Sequence, residues 1–289
     1  MKKIFLFCLI VLGFYSCSNV PITGRRQFTL VNDDEVLTLS LQQYEEFMQT
    51  AKKSTDKTNT ALVTKVGQKI ADAVGSYYKA NGQEALLSIY KWEFNLVDDS
   101  QVNAFCMPGG KIVVYTGILP YTKDETGLAV VLGHEVGHAI AKHANERLSN
   151  QLLLDYGGAG LGAVLAGKSA ATQQIGSTVW GLGSQVGVML PFSRKQELEA
   201  DYLGMILMAI AGYDPAQALP FWERMAQQGQ NVSDILSTHP SDQKRIEAIK
   251  KNIPEAMDCY KAIWGSGTTT APKTTPAATP ANTGNKWQF

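Results

Sequence analysis

Cysteine is scarce in this chain of 289 residues, with Cys8, Cys17, Cys106 and Cys259 making up all four. That is too few for a disulfide framework to carry the fold. Net charge is missing as well: 26 basic side chains balance 26 acidic ones, so no electrostatic footprint points to nucleic acid or to acidic lipid. No apolar stretch runs unbroken for the roughly 20 residues that a bilayer-crossing helix needs. No period of the solenoid kind repeats either. Histidine is as rare as cysteine, four in all, and three of the four are His134, His138 and His143. What remains is a chain whose apolar residues, 45% of the total, suffice to bury one sizeable core.

The first residues read as an address. Lys2 and Lys3 precede an apolar run over residues 4–14 that is too short to anchor in a bilayer. The run ends at Tyr15-Ser16-Cys17, a small residue directly before cysteine. This reads as a lipoprotein signal peptide over residues 1–16, with Cys17 the lipidated first residue of the mature chain and the membrane a partner through that lipid; an ordinary signal or an uncleaved anchor is the alternative. Cys106 and Cys259 are then left as a small buried hydrophobe and a lone thiol rather than a bridge.

Periodicity places the elements. Asn32-Asp33-Asp34 caps a helix whose Val36, Leu39, Tyr44, Phe47 and Met48 recur at helical spacing. A second amphipathic helix spans residues 60–78 and closes near Asn81-Gly82. Tyr90, Trp92, Phe94 and Leu96 alternate with polar residues as in a half-buried strand. Residues 101–105 and 111–116 are two further strands, joined through Met107-Pro108-Gly109-Gly110 as a hairpin. Helix dominates from Glu125 onward, which makes the fold class α+β and mainly helical. Residues 157–190 are rich in glycine and apolar residues, but Lys168, Gln173, Gln174, Ser177 and Gln185 interrupt them; they read as two close-packed helices and a candidate lid. Residues 266–289, full of Thr, Pro and Ala, are expected to be a disordered tail, leaving 17–265 as the folded domain.

His134-Glu135-Val136-Gly137-His138 is the most informative stretch. Residues four apart project from one helical face, so both imidazoles can converge on one metal ion, and Glu135 stands beside the ion as a general base for water. The apolar run from Leu128 to Gly133 is the buried helix such a motif needs. A catalytic zinc takes three protein ligands, and Glu197-Leu198-Glu199-Ala200-Asp201 is the outstanding source of the third. Glu197 and Asp201 share a helical face, so Glu197 is assigned as ligand and Asp201 as the carboxylate that orients a ligand imidazole. Glu199 points roughly 200° away from Glu197 and is left to pair with Arg194 or Arg147. His143, roughly 140° around a continuous helix from His138, is expected to face solvent or a neighbour.

His-Glu-x-Gly-His followed at a distance by Glu-x-Glu-Ala-Asp resembles metallopeptidase family 48, a gluzincin group. Val20-Pro21-Ile22-Thr23-Gly24-Arg25-Arg26 and Ser237-Thr238-His239-Pro240 extend the resemblance, the former towards a bacterial lipoprotein branch. It implies a zincin-like domain with a small antiparallel sheet packed beside the metal helix, and one Zn2+ per chain held by His134, His138 and Glu197. It implies Glu135 as the catalytic carboxylate and Asn103, Ala104 and Phe105 as the edge strand that faces an extended or unfolded polypeptide substrate. Asn103 is open to two readings, a contact to substrate backbone or a strand-end residue. His239 is likewise either the start of a helix or a switch ligand able to fill the open metal position. The implied function is a metalloendopeptidase of the bacterial cell envelope, lipid-anchored in the outer membrane and facing the periplasm, in outer-membrane protein quality control. The outer-membrane assembly machinery is an expected partner. A chaperone-like assembly factor with a largely latent zinc site is the alternative.

Overall fold

A computed structural model describes residues 17–165, 192–240 and 243–265, and side chains in the helix at 155–165 are outside that description. The expected signal peptide at 1–16, most of the candidate lid at 157–190 and the expected tail at 266–289 lie outside the described residues.

The chain opens with a short hairpin, β1 (Cys17–Asn19) antiparallel to β2 (Arg26–Phe28), with Cys17 opposite Phe28. Helix α1 (Asp33–Thr50) starts where expected: Asn32 accepts a hydrogen bond from the Asp34 N–H, satisfying one of the free amides of the first turn. Helix α2 (Lys57–Ala80) is capped in the same way by Asp56. A sheet follows, made of β3 (Glu93–Val97), β4 (Ala104–Met107) and β5 (Lys111–Tyr115) in the order β3-β5-β4.

This sheet departs in one respect from the antiparallel expectation. β4 and β5 form the antiparallel hairpin read from the glycines, whereas β3 runs parallel to β5. The reason is the connection: the segment from Asp98 to Asn103 lets the chain cross to the far side of β5 before returning. β4 is thereby left as an edge strand. Its pairing also starts at Ala104, later than the periodicity suggested.

Alternation along β5 builds two cores. Ile112 and Val114 pack with Leu96 and Ala104 towards α2, α4 (Glu125–Ile140) and α6 (Arg194–Ile210). Val113 and Tyr115 pack with Phe105, Met107, Leu39 and Tyr44 on the opposite face, joined by Leu148 and Leu152 of α5 (His143–Leu165). Between β5 and α4 lies a single turn, α3 (Leu119–Thr122); after α6 come α7 (Ala218–Gln227), α8 (Ser233–Thr238) and α9 (Gln243–Trp264). Cys106 and Cys259 are both free thiols. No helix among the described residues is long and apolar enough to cross a membrane.

Candidate metal centre

Two helices that touch at their backbones build the centre. A Cβ on Gly137 would lie 2.8 Å from the Ala200 carbonyl oxygen, and one on Gly133 would lie 2.9 Å from that of Gly204. Glycine at these positions of α4 and α6 is what lets His134 and His138 meet the acidic face of α6. Every residue of α4 from Gly127 to Ile140 is buried, so the motif sits on a core helix as expected.

His134, His138, Glu197 and His239 each offer a ligand atom, and these four atoms lie within 4.8 Å of one another. His134 Nε2 is 3.1 Å from both His138 Nε2 and His239 Nδ1. The Glu197 oxygens stand 3.4 Å from His134 Nε2, 3.3 Å from His138 Nε2 and 3.1 Å from His239 Nδ1. Ligands about 2.0–2.2 Å from a tetrahedral zinc would be separated by roughly 3.3–3.6 Å, so the cluster has about the size of a zinc coordination shell. Its hydrogen bonding points the same way. His134 Nδ1 is engaged by Asp201, so the lone pair on His134 Nε2 faces the other two ring nitrogens, as a metal ligand's would. Glu197 Oε2 is buried and accepts no hydrogen bond, although Arg245 Nη1 ion-pairs with it at 2.9 Å. The donor set fits zinc.

Glu135 is 3% exposed and its buried Oε1 has no hydrogen-bond partner. His239 Nε2 is the cation-capable group facing that oxygen, at 3.5 Å. Burial pushes the Glu135 carboxyl up to about 7, where a group can both take and return a proton near neutral pH. Burial drives His138 well below the usual imidazole range, which keeps its ring neutral and competent as a ligand. Burial likewise opposes ionisation of Glu197, but His239, Arg245 and His134 hold its carboxyl well below the carboxylate range.

Behind the ligands stand two supporting networks, of which one was read from the sequence. Asp201 Oδ1 accepts from His134 Nδ1 at 2.9 Å, the orienting contact assigned to it. Arg245 of α9 then forks onto Asp201, with Nε 2.6 Å from Oδ2 and Nη2 2.8 Å from Oδ1, and its guanidinium lies 3.8 Å over the Trp222 ring. Arg245 had no role in the sequence reading. It had a signal, because it shares a buried helical face with Ile249 and Ala256, where an unpaired cation is not tolerated.

The second network corrects two expectations. His143, expected to face solvent or a neighbour roughly 140° around from His138, is fully buried and faces a neighbour, but that neighbour is His138 itself, with the two Nδ1 atoms 2.9 Å apart. Glu199 pairs with neither Arg194 nor Arg147: it takes His143 Nε2 at 3.0 Å, Arg25 Nε at 2.5 Å and the Thr23 hydroxyl. Arg25 continues as a fork onto Glu146, at 2.8 and 2.9 Å. The roughly 140° spacing of a continuous helix does not apply to His143, because α4 and α5 are not one helix. Lys142 takes φ 56°, a left-handed conformation that stops α4 and turns His143 back towards the metal helix.

At the β4 edge, Tyr115 donates to the Asn103 carbonyl at 3.1 Å, so by the alternation of an antiparallel ladder Val102, Ala104 and Cys106 turn their peptide groups outward. Two of those amides have internal partners. Asn103 Oδ1 accepts from the Ala104 N–H at 2.9 Å, and Asp234 Oδ2 accepts from the Val102 N–H at 3.2 Å. Asn103 is thus a strand-end cap in this state. Phe105 points its side chain to the opposite core and, paired with Val113, turns its peptide groups towards β5 rather than to this edge.

A helix-borne His-Glu-x-x-His motif with a carboxylate ligand from a second helix defines a zinc metallopeptidase of the gluzincin kind. Residues 60–253 match Peptidase family M48, and the chain belongs to that family. It is 35% identical over 257 residues to mitochondrial metalloendopeptidase OMA1 of Schizosaccharomyces pombe, covering 85% of this chain and 71% of the relative. Human mitochondrial metalloendopeptidase OMA1 is 31% identical over 271 residues, 86% of this chain and 48% of that protein. The β-barrel assembly-enhancing protease of Escherichia coli K12 is 31% identical over 169 residues, 54% of this chain and 33% of that protein. The chain is a zinc metalloendopeptidase. These matches overturn the expected placement in a bacterial outer membrane, because the relatives aligned over most of the chain are mitochondrial proteins. The narrower resemblance to a bacterial lipoprotein branch is not supported, since the bacterial protease aligns with a shorter part of the chain.

Proposed function

We propose that this endopeptidase cleaves extended or misfolded polypeptides, bound as an added strand along β4 and hydrolysed with Glu135 as the proton carrier. The observation that carries the reading is the buried Glu135 Oε1, which accepts no hydrogen bond and stands beside the four-donor cluster. Bound zinc supplies a Lewis acid that activates water and polarises the scissile carbonyl. His134, His138 and Glu197 would hold it. Glu135 takes the proton of the attacking water and returns it to the leaving amine. Main-chain pairing to an outer strand edge accepts many sequences, which suits a substrate recognised by being unfolded rather than by a motif.

In this reading the structure is a resting form. His239 fills the fourth donor position, while Asn103 and Asp234 occupy edge amides that a substrate strand needs. Asp234 and His239 lie on one short segment, α8 and its end, so a strand that displaces Asp234 also loosens His239. The assembly-factor alternative draws on the same observation, since a filled fourth position is a latent one.

The test is incubation of the purified, zinc-loaded chain with an unfolded protein such as casein. Glu135→Gln is expected to retain zinc and fold while cleavage drops by about 10²–10⁴-fold. Cleavage that persists in that variant would rule out the assigned base. His239→Ala should raise cleavage, and a rate equal to the parent's would remove the resting-state reading while leaving the peptidase intact. Lipid attachment at Cys17 is a separate part of the proposal, and the mass of the mature amino terminus tests it.

A further inference from the structure

We propose that Arg25, in the turn of the opening hairpin, is a positioning residue of the metal centre that acts on His138 through Glu199 and His143. This role rests on the zinc site described above and on the order in which protons can be placed. An ionised carboxylate only accepts hydrogen bonds. Glu199 therefore takes the Nε2–H of His143 at 3.0 Å, which leaves the Nδ1 of that neutral ring with a lone pair. That lone pair, 2.9 Å from His138 Nδ1, can only accept, so the proton of His138 sits on Nδ1. His138 Nε2 is then free to face His134 Nε2 and Glu197 with its lone pair. One carboxylate thus sets the tautomer of a metal ligand through an intervening ring.

Glu199 is 8% exposed and performs this role only as an anion, which needs a cation at hand. Arg25 Nε supplies it at 2.5 Å, and the Thr23 hydroxyl adds a further donor. The guanidinium is itself fixed, because its far edge forks onto Glu146, which Gln196 also holds at 2.9 Å. The turn is tied down by the Val20 N–H bonding to the Arg25 carbonyl at 2.8 Å and by Val20, 1% exposed. Arg26, one residue on, is exposed and is the natural control. A role confined to pinning the hairpin would cost stability without altering the metal.

The experiment compares zinc affinity, by competition with a chelator, in the full chain and in Arg25→Ala, Arg25→Lys and Arg26→Ala. Arg25→Ala is expected to weaken zinc binding by about tenfold, at the lower end of what loss of an outer hydrogen-bond partner costs. Arg25→Lys should recover part of this by restoring the charge without the fork, and Arg26→Ala should match the parent. The visible spectrum of the cobalt-loaded chain should shift in Arg25→Ala alone, because it reports the setting of the His138 ring. A folded Arg25→Ala with parental zinc affinity and an unchanged cobalt spectrum overturns the proposal. Should Arg25→Ala not fold, Glu199→Gln is measured instead, and parental affinity there overturns it equally. A parent chain that binds no zinc would instead sink the metal site itself.

Discussion

His134 and His138 leave the same helix one turn apart and meet the same cluster, yet they are held in opposite styles. His134 rests on one carboxylate, Asp201, clamped by Arg245 at the start of α9. His138 rests on a second ring, then on Glu199, then on Arg25 from the opening hairpin. The first support is short and dry: Arg245 is 1% exposed and serves Asp201 and Glu197 together. The second is long and lies nearer water, with the Arg25 and Glu146 side chains each 13% exposed. Both carboxylates come from α6, two residues apart, and so face different flanks of α4. The lesson is that each end of the folded domain reaches one of the two motif histidines, and neither support is local.

The widest gap between the two sides should appear in stability. Arg245→Ala strands two buried carboxylates and is expected to cost about 3–5 kcal/mol in urea unfolding of the metal-free chain. Arg25→Ala should cost less, since water can reach Glu199 and Glu146, and an equal loss would erase the distinction between dry and wet supports. Zinc affinity gives a smaller but more direct contrast. Asp201→Asn, touching its ligand ring directly, is expected to weaken zinc by about 10–100-fold, and by more than Glu199→Gln, which acts one ring further away. Chelator competition on both variants decides the order.

The smallest effect comes from the far end of α4, where no ligand is held. Glu125 pairs with Lys65 at 2.6 Å and Lys69 at 3.2 Å and accepts from the Tyr213 hydroxyl at 2.7 Å. The Lys65 contact, ahead of the opposing effect of burial, holds its carboxyl down to about 2, below the unfolded value of 4.5. A carboxyl with a depressed folded pKa stabilises above its unfolded pKa, and that contribution is lost as pH falls from about 4.5 towards 2. Glu125→Gln should flatten that part of the acid-unfolding curve while leaving zinc affinity at neutral pH unchanged. A change in zinc affinity there would mean that α4 transmits strain along its length, and the two ends could no longer be treated apart.

The helices and the metal-binding face were legible because their signals are local. Asn32 caps where a side-chain oxygen must, and the spacing of His134 to His138 and of Glu197 to Asp201 follows from helical geometry, although α2 starts at Lys57 behind its Asp56 cap rather than at residue 60. The strand boundaries moved because β pairing depends on a partner: residues 101–105 read as a strand, but only from Ala104 does β4 pair with β5. His143 was misplaced since no glycine, asparagine or proline marks the break at Lys142. Arg25 was out of reach for another reason, the 174 residues that separate it from Glu199.

From its order of residues alone, the chain determined that two imidazoles and a carboxylate would project from helical faces at metal-binding intervals, because periodicity acts over a few residues. Tertiary structure decided how those faces meet, through glycines that let α4 and α6 touch, and which distant arginine neutralises which buried acid. A buried charge takes whatever counter-charge the packing brings within reach, and packing is a property of the whole fold.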